Sequence, residues 1–165
     1  MSTSHVAEEA GMIRQATLED ALIVDRIFGD PVVWPLLMDD NTPASLRWRV
    51  GTGLLESPGV IVLLCEDYAT FALVPCNSIM WDVHTAILPA ARGQLGIDIG
   101  RNSVQWVWDN TGCMKIISWI PDFNRAAILY ALKCGFKKEG KVTKSFLKGG
   151  RLYDQYVVGI ERGVE

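Results

Sequence analysis

The sequence predicts a single α+β domain, a mixed and mostly antiparallel sheet of six to seven strands flanked by about four helices. Three observations predict it. A chain of 165 residues suits one core and is short for two. Apolar residues make up 49 % and charged residues 21 %, enough apolar surface to offset chain entropy and to exclude a disordered or low-complexity chain. Apolar runs of strand length, bounded by proline or turn residues, alternate with segments whose apolar residues recur at helical spacing.

Residues 1–11 are small, polar and acidic, and read as a lead-in; the domain spans 12–165. Ile13 to Ala16 is a short strand, and Thr17 with Asp20 three residues on predicts a capped helix whose apolar face is Leu22, Ile23, Ile27 and Phe28. Gly29-Asp-Pro31 ends it. Pro35 and Pro43 interrupt the next stretch, and Ser45 to Leu55 offers a second helix.

Val60 to Cys65 and Ala69 to Val74 flank the turn residues Glu66-Asp-Tyr68 and predict a hairpin. Ile79 to Leu88 is a third strand, with Asp82, His84 and Ala86 on one face and Val83, Thr85 and Ile87 on the other. Pro89 closes it. Arg92 to Asp98 turns into a helix with Ile97, Gly100, Val104, Val107 and Trp108 at helical spacing. Lys115 to Ile120 is a buried strand stopped by Pro121. A helix from Asn124 to Lys133 follows, ended by Gly135, and Val142 to Leu147 and Leu152 to Ile160 flank the turn Lys148-Gly-Gly150.

Sixteen basic and nineteen acidic side chains give a net charge of −3, the wrong sign for a domain that neutralises nucleic-acid phosphates. The cysteines Cys65, Cys76, Cys113 and Cys134 form no CxxC pair, and His5 and His84 are far apart, so neither a metal site nor a disulfide framework is expected. No apolar run is long enough to span a membrane. A reducing cytoplasm is the expected compartment.

Two segments carry chemistry. A turn entering a helix, as at Arg92-Gly-Gln, leaves amide N–H groups unpaired at the positive end of the helix dipole, where they can hold an anion. Asn124 sits where a helix wants a cap, and its alternative job is to hydrogen-bond a ligand between the two helices. Asp82 and His84 share a strand face, and a buried imidazole is a sensible proton acceptor. Trp34 and Trp48, in the proline-broken region, are candidates for lining an aromatic pocket or an interface. The basic hairpin of Lys141, Lys144, Lys148 and Arg151 reads as a solvated edge.

The P-x-x-R-G turn before a helix, and N-x-x-A with G-F at the far end of the later helix, resemble the Gcn5-related N-acetyltransferase (GNAT) superfamily over about Ile13 to Ile160. The resemblance implies a GNAT-like fold that uses acetyl-CoA as acyl donor. It places the diphosphate at Arg92, Gly93, Gln94, Leu95, Gly96 and Ile97 and the pantetheine beside Ile87 and Leu88, between splayed fourth and fifth strands. Asn124 and Ala127 complete that cofactor set. It also implies an amine-bearing small molecule or protein as acceptor, with His84 and Asp82 as candidate bases and Tyr130 as candidate acid. Tyr130 falls one residue before the family's usual tyrosine position, which is Ala131 here, and Leu95 and Ile97 stand where the family's turn has small residues. A narrower similarity, H-x-x-x-x-P-x-x-R-G with I-P-x-x-N-R-A-A and G-G-R-x-x-D, is to acetyltransferase-like proteins of tailed bacteriophages. It implies an alternative, a catalytically weakened binding module with a phage structural partner. A homodimer is a third partnership left open.

Overall fold

The computed structural model describes residues 12–163; the lead-in at 1–11, and His5 with it, lie outside the described residues. One seven-stranded sheet runs in the order β1-β2-β3-β4-β5-β7-β6. Its strands are β1 (Arg14–Gln15), β2 (Ile61–Cys65), β3 (Ala69–Pro75), β4 (Met80–Ile87), β5 (Lys115–Pro121), β6 (Lys137–Lys148) and β7 (Arg151–Glu161). Every neighbouring pair is antiparallel except β4 with β5.

The first helix, α1 (Ala21–Phe28), follows a 3-10 turn at Leu18–Asp20. The expected capping box of Thr17 and Asp20 forms: the Asp20 carboxylate accepts the Thr17 N–H at 2.9 Å, and the Thr17 side chain faces the Asp20 N–H, which also reaches the Thr17 carbonyl at 2.9 Å. The buried face is Val24, Asp25, Ile27 and Phe28, while Leu22, expected inside, is 62 % exposed. Asp25 is tolerated there because its carboxylate accepts the Thr52 N–H at 2.8 Å and the Thr52 hydroxyl at 2.6 Å.

The predicted helix over 45–55 divides. Pro43 leads into a 3-10 turn at Ala44–Leu46, and the α-helix α3 spans Val50–Glu56. A short helix that the two prolines hid, α2 (Trp34–Leu37), starts with Pro35 in its first turn, where a missing N–H costs nothing. Helix α4 (Gln94–Asn110) and helix α5 (Arg125–Lys133) match the expected segments.

Strand β6 begins five residues before the reading at Val142, because Lys137 to Lys141 is polar and exposed and carries no apolar alternation. Its irregularity between Val142 and Phe146, with Lys144 at φ 51°, is held by the Asp154 carboxylate on the Lys144 N–H at 2.8 Å. The tight turn after Lys148 has Gly149 and Gly150 at φ 59° and 72°, a pair only glycine adopts without strain.

The sheet separates two apolar clusters. One holds Leu63, Phe71, Ile99, Val107, Ile116, Ile128 and Val158, with α4 and α5. The other holds Val62, Leu64, Ala72 and Ala86 against Val24, Ile27, Phe28 and Val33. Strand alternation therefore sends Val83 and Ile87 toward α4 and α5, and Asp82 and His84 toward α1 and α2.

Candidate active site

Strands β4 and β5 pair through Met80 with Lys115, Trp81 with Ile116 and Asp82 with Ile117, and there the ladder stops. At the fork the Ser118 hydroxyl donates to the Val83 carbonyl at 3.2 Å. Beyond it β4 continues to Ile87 against β3, and β5 to Pro121 against β7. The opening between them belongs to a cavity of about 690 Å³. Its walls come from both sheet faces, with Val33, Leu36 and Leu37 on one side and Gly96, Ile97, Asn124 and Tyr130 on the other.

The mouth on the α4 side is a turn in three steps. Leu88 leads into a 3-10 turn at Pro89–Ala91, Arg92 is extended, and Gly93 caps α4 at φ 90°, ψ −146°, a conformation open to glycine alone. The first bond of this turn into the helix is the Ile97 N–H to the Gly93 carbonyl at 3.1 Å. The amides of Gln94, Leu95 and Gly96 therefore have no acceptor within the helix.

Leu95 and Ile97 pack against the α4–α5 apolar cluster, and the close approaches fall on glycine instead. A Cβ on Gly96 would come within 2.8 Å of the Ala91 carbonyl oxygen, whereas one on Gly93 would meet nothing within 4 Å. The small positions of the turn are thus Gly93 and Gly96.

Of the residues expected around a cofactor, Ile87, Arg92, Gly93, Gly96, Ile97, Asn124 and Ala127 line the cavity. Leu88, Gln94 and Leu95 do not: Leu88 packs on the other sheet face with its amide on the Tyr68 carbonyl at 2.9 Å, and Gln94 reaches Asp98 at 2.9 Å. Asn124 caps α5, its Oδ1 accepting the Ala127 N–H at 3.2 Å, which leaves its NH2 group for a ligand. Tyr130 donates to the Gly96 carbonyl at 2.8 Å, and burial pushes its phenol well above the ordinary value. This contact explains Gly100, where a Cβ would lie 2.3 Å from the Tyr130 hydroxyl.

His84 is not the buried imidazole expected from the sequence; the more buried of the pair is Asp82. The imidazole is 51 % exposed and the carboxylate only 20 %, with His84 Nε2 3.6 Å from Asp82 Oδ2. Asp82 Oδ1 is, among the described residues, the buried side-chain oxygen left without a hydrogen-bond partner. Burial raises the Asp82 pKa, and His84 draws it part of the way back. The result is a poorly solvated carboxylate on the cavity wall beside a half-exposed imidazole.

Several lining residues carried no sequence signal. Val33, Leu36 and Leu37 sit in the proline-broken stretch, and Ser118 and Phe146 look like ordinary strand residues. Trp34 and Trp48 do not line the cavity; Trp119 does. Trp48 packs over Gly29, where a Cβ would lie 2.4 Å from its ring, with the Arg47 guanidinium 4.7 Å from its centroid. In the basic hairpin Lys148 is not simply solvated, since its ammonium donates to the Met38 carbonyl at 2.6 Å.

Among the described residues no cluster of three metal-ligating side chains forms, and no helix is long and apolar enough to cross a membrane. No family model matches the chain, and no curated protein matches it in sequence. Solved structures do match in shape. The ribosomal-protein-alanine N-acetyltransferase of Brucella melitensis superposes with a TM-score of 0.73 at 21 % identity, covering 92 % of this chain and 99 % of its own. The spermidine N-acetyltransferase of Vibrio cholerae, in complex with CoA and spermine, gives 0.72 at 14 % identity over 91 % and 94 %. YncA of Salmonella typhimurium, with its cofactor acetyl-CoA, gives 0.67 at 18 % over 93 % and 95 %. The forked sheet, the glycine turn and these superpositions together establish that this chain has the fold of the GNAT N-acetyltransferases.

Proposed function

We propose that the protein transfers an acetyl group from acetyl-CoA to an amine. The observation that carries the reading is the fork between β4 and β5, opening on a helix N-terminus whose glycines leave amides free. Structural neighbours that hold acetyl-CoA or CoA add support. The residues present fit such a donor. Gly93 leaves open space above the turn, Arg92 borders it as a cation, and the amides of Gln94, Leu95 and Gly96 supply diphosphate donors. The inner edges of β4 and β5, freed from each other beyond the fork, offer backbone groups to the amides of a pantetheine arm.

Acetyl-CoA supplies a thioester, and an unprotonated amine is nucleophile enough to attack it directly, so no covalent residue is needed. The chain's task is to place the amine and remove its proton. Asp82 takes that proton from the ammonium, and the solvent-facing His84 passes it to water. Tyr130 is the phenol on the cavity wall and the candidate donor to the departing sulfur. Its hydroxyl must first leave the Gly96 carbonyl, and burial makes it a reluctant acid. If Tyr130 is the acid, Tyr130→Phe lowers kcat and leaves acetyl-CoA affinity in place.

Calorimetric titration with acetyl-CoA tests the reading. Binding is expected, weakened about tenfold in Arg92→Ala by loss of one charge-assisted contact. Absence of both heat and thermal shift at high acetyl-CoA would remove the proposal and favour a non-catalytic binding module.

A further inference from the structure

We infer that the acceptor is a monocationic amine on an apolar stem, its ammonium at Asp82 and its stem against helix α2; the inference rests on the acetyl-transfer reading. Asp82 is the sole carboxylate among the cavity-lining residues, and its Oδ1 is buried and unpartnered. A buried anion with a spare acceptor is best satisfied by one ammonium. Strand alternation aims Asp82 at the α1–α2 face of the sheet. From that face Val33, Leu36 and Leu37, in and just before helix α2, present no polar side-chain atom; the polar groups on that side, His84 and Gln155, belong to the sheet.

This wall is held in place from outside. The chain after α2 is clamped to the β6–β7 turn: the Asp40 carboxylate accepts the Gly149 and Gly150 N–H groups at 2.8 and 2.7 Å, and the Asp40 N–H reaches the Leu147 carbonyl at 2.9 Å. Lys148 closes the clamp on the Met38 carbonyl. Phe146, two residues before Lys148, also lines the cavity.

A polyamine fits this wall badly. Its second ammonium would shed water against leucine with no second carboxylate to meet it. A short hydroxyl-bearing amine forgoes the apolar contact with Val33, Leu36 and Leu37, whose side chains offer its hydroxyl no partner. An alkyl or arylalkyl stem loses nothing polar and buries apolar surface.

The test uses the purified chain with hexylamine, ethanolamine and spermidine. Acetyl-CoA titration comes first, then thiol release for each amine, with calorimetric binding of hexylamine to the CoA-bound protein. Hexylamine is expected to exceed the other two in kcat/KM by at least tenfold, with its binding lost in Asp82→Asn. Leu37→Glu should narrow or reverse the ratio of hexylamine to spermidine. Spermidine or ethanolamine used as well as hexylamine overturns the inference and leaves acetyl transfer standing, as does hexylamine binding that survives Asp82→Asn. If acetyl-CoA does not bind, the transfer reading fails, and hexylamine titrated into the free protein decides the amine site separately: Asp82-dependent heat keeps it, and none removes it.

Discussion

The two halves of the β4–β5 pair are built from similar residues and end in opposite states. From Met80 to Asp82 the strands form a parallel ladder with Lys115 to Ile117; from Val83 to Ile87 and Ser118 to Pro121 they are unpaired with each other. The open half is nevertheless ordered, because β3 pairs with β4 as far as Ile87 and β7 pairs with β5 as far as Pro121. A gap between strands is normally costly, since backbone groups lose their partners. Here each strand keeps one ladder on its outer side, and only the inner edges are spared for a ligand. The comparison teaches that a preformed site in a sheet is made by pairing strands from outside while separating them inside.

The largest expected effect lies where the ladder ends. Asp82, the last paired residue of β4, is half in each regime: its backbone belongs to the closed half and its carboxylate faces the cavity. Asp82→Asn keeps the shape and removes the proposed base, and acetyl transfer is expected to fall by about 10²–10⁴ in kcat. Acetyl-CoA affinity should stay within a factor of roughly three, since the change lies away from the mouth and is under 1 kcal/mol. Steady-state kinetics with calorimetry on the same protein checks both; a rate within a few-fold of the parent would put the proton path elsewhere.

The mouth comes next. In Gly96→Ala the new Cβ meets the Ala91 carbonyl, a backbone atom that cannot rotate away. The turn must shift by a few tenths of an ångström, at a cost of roughly 1–3 kcal/mol in stability. The donors of α4 move with it, so acetyl-CoA affinity should fall by about tenfold or more. Gly93, with open space above it but φ at 90°, should lose stability through backbone strain alone. Thermal melts beside acetyl-CoA titrations separate the two glycines. Equal loss of affinity in both would mean that the mouth is not shaped by close packing at Gly96.

The strands of both halves were legible in the residues, whereas the gap between them came only from the resemblance, for a physical reason. Apolar runs such as Ile116-Ile117 and Val62-Leu63-Leu64 announce strands because burial on both faces selects for them. Whether a strand pairs on its inner edge leaves no mark, since backbone groups are the same in every residue. The turn Pro89 to Gly93 was readable from its proline and glycine. Which position of the turn must stay small was not, because counting along the chain cannot tell that the close approach to the Ala91 carbonyl falls on Gly96 while Leu95 and Ile97 pack against the apolar cluster. Asp82 and His84 were found by strand period, yet His84, expected buried, is half exposed: period assigns a face, and depth depends on what the other elements cover. Helix α2, which supplies the apolar wall, was hidden by Pro35, although a proline in a first helical turn starts a helix as readily as it breaks one.

The smallest effect contrasts two carboxylates, one beside the edge of the sheet and one on its central strand. Asp20, beside the edge strand β1, accepts both Arg14 guanidinium nitrogens at 2.7 and 2.8 Å, and this pairing, with the Thr17 N–H, holds its pKa down at about 2. A carboxyl whose folded value lies below the ordinary 3.8 stabilises the fold above that value, and the contribution is lost as pH falls toward 2. Arg14 is 54 % exposed, so solvent screening limits Arg14→Ala to about 0.5–1 kcal/mol at neutral pH. Asp82 has the opposite sign. Its raised pKa means that its charged form costs stability, and the cost sets in as pH rises above 3.8. Denaturation followed from pH 2 to 7 should therefore show Arg14→Ala flattening the acid limb, while Asp82→Asn raises the neutral plateau as it abolishes turnover. A lower plateau in Asp82→Asn would mean that the carboxylate in the fork is held by contacts that favour its charge, and that the open half is not the desolvated site from which the amine chemistry is argued.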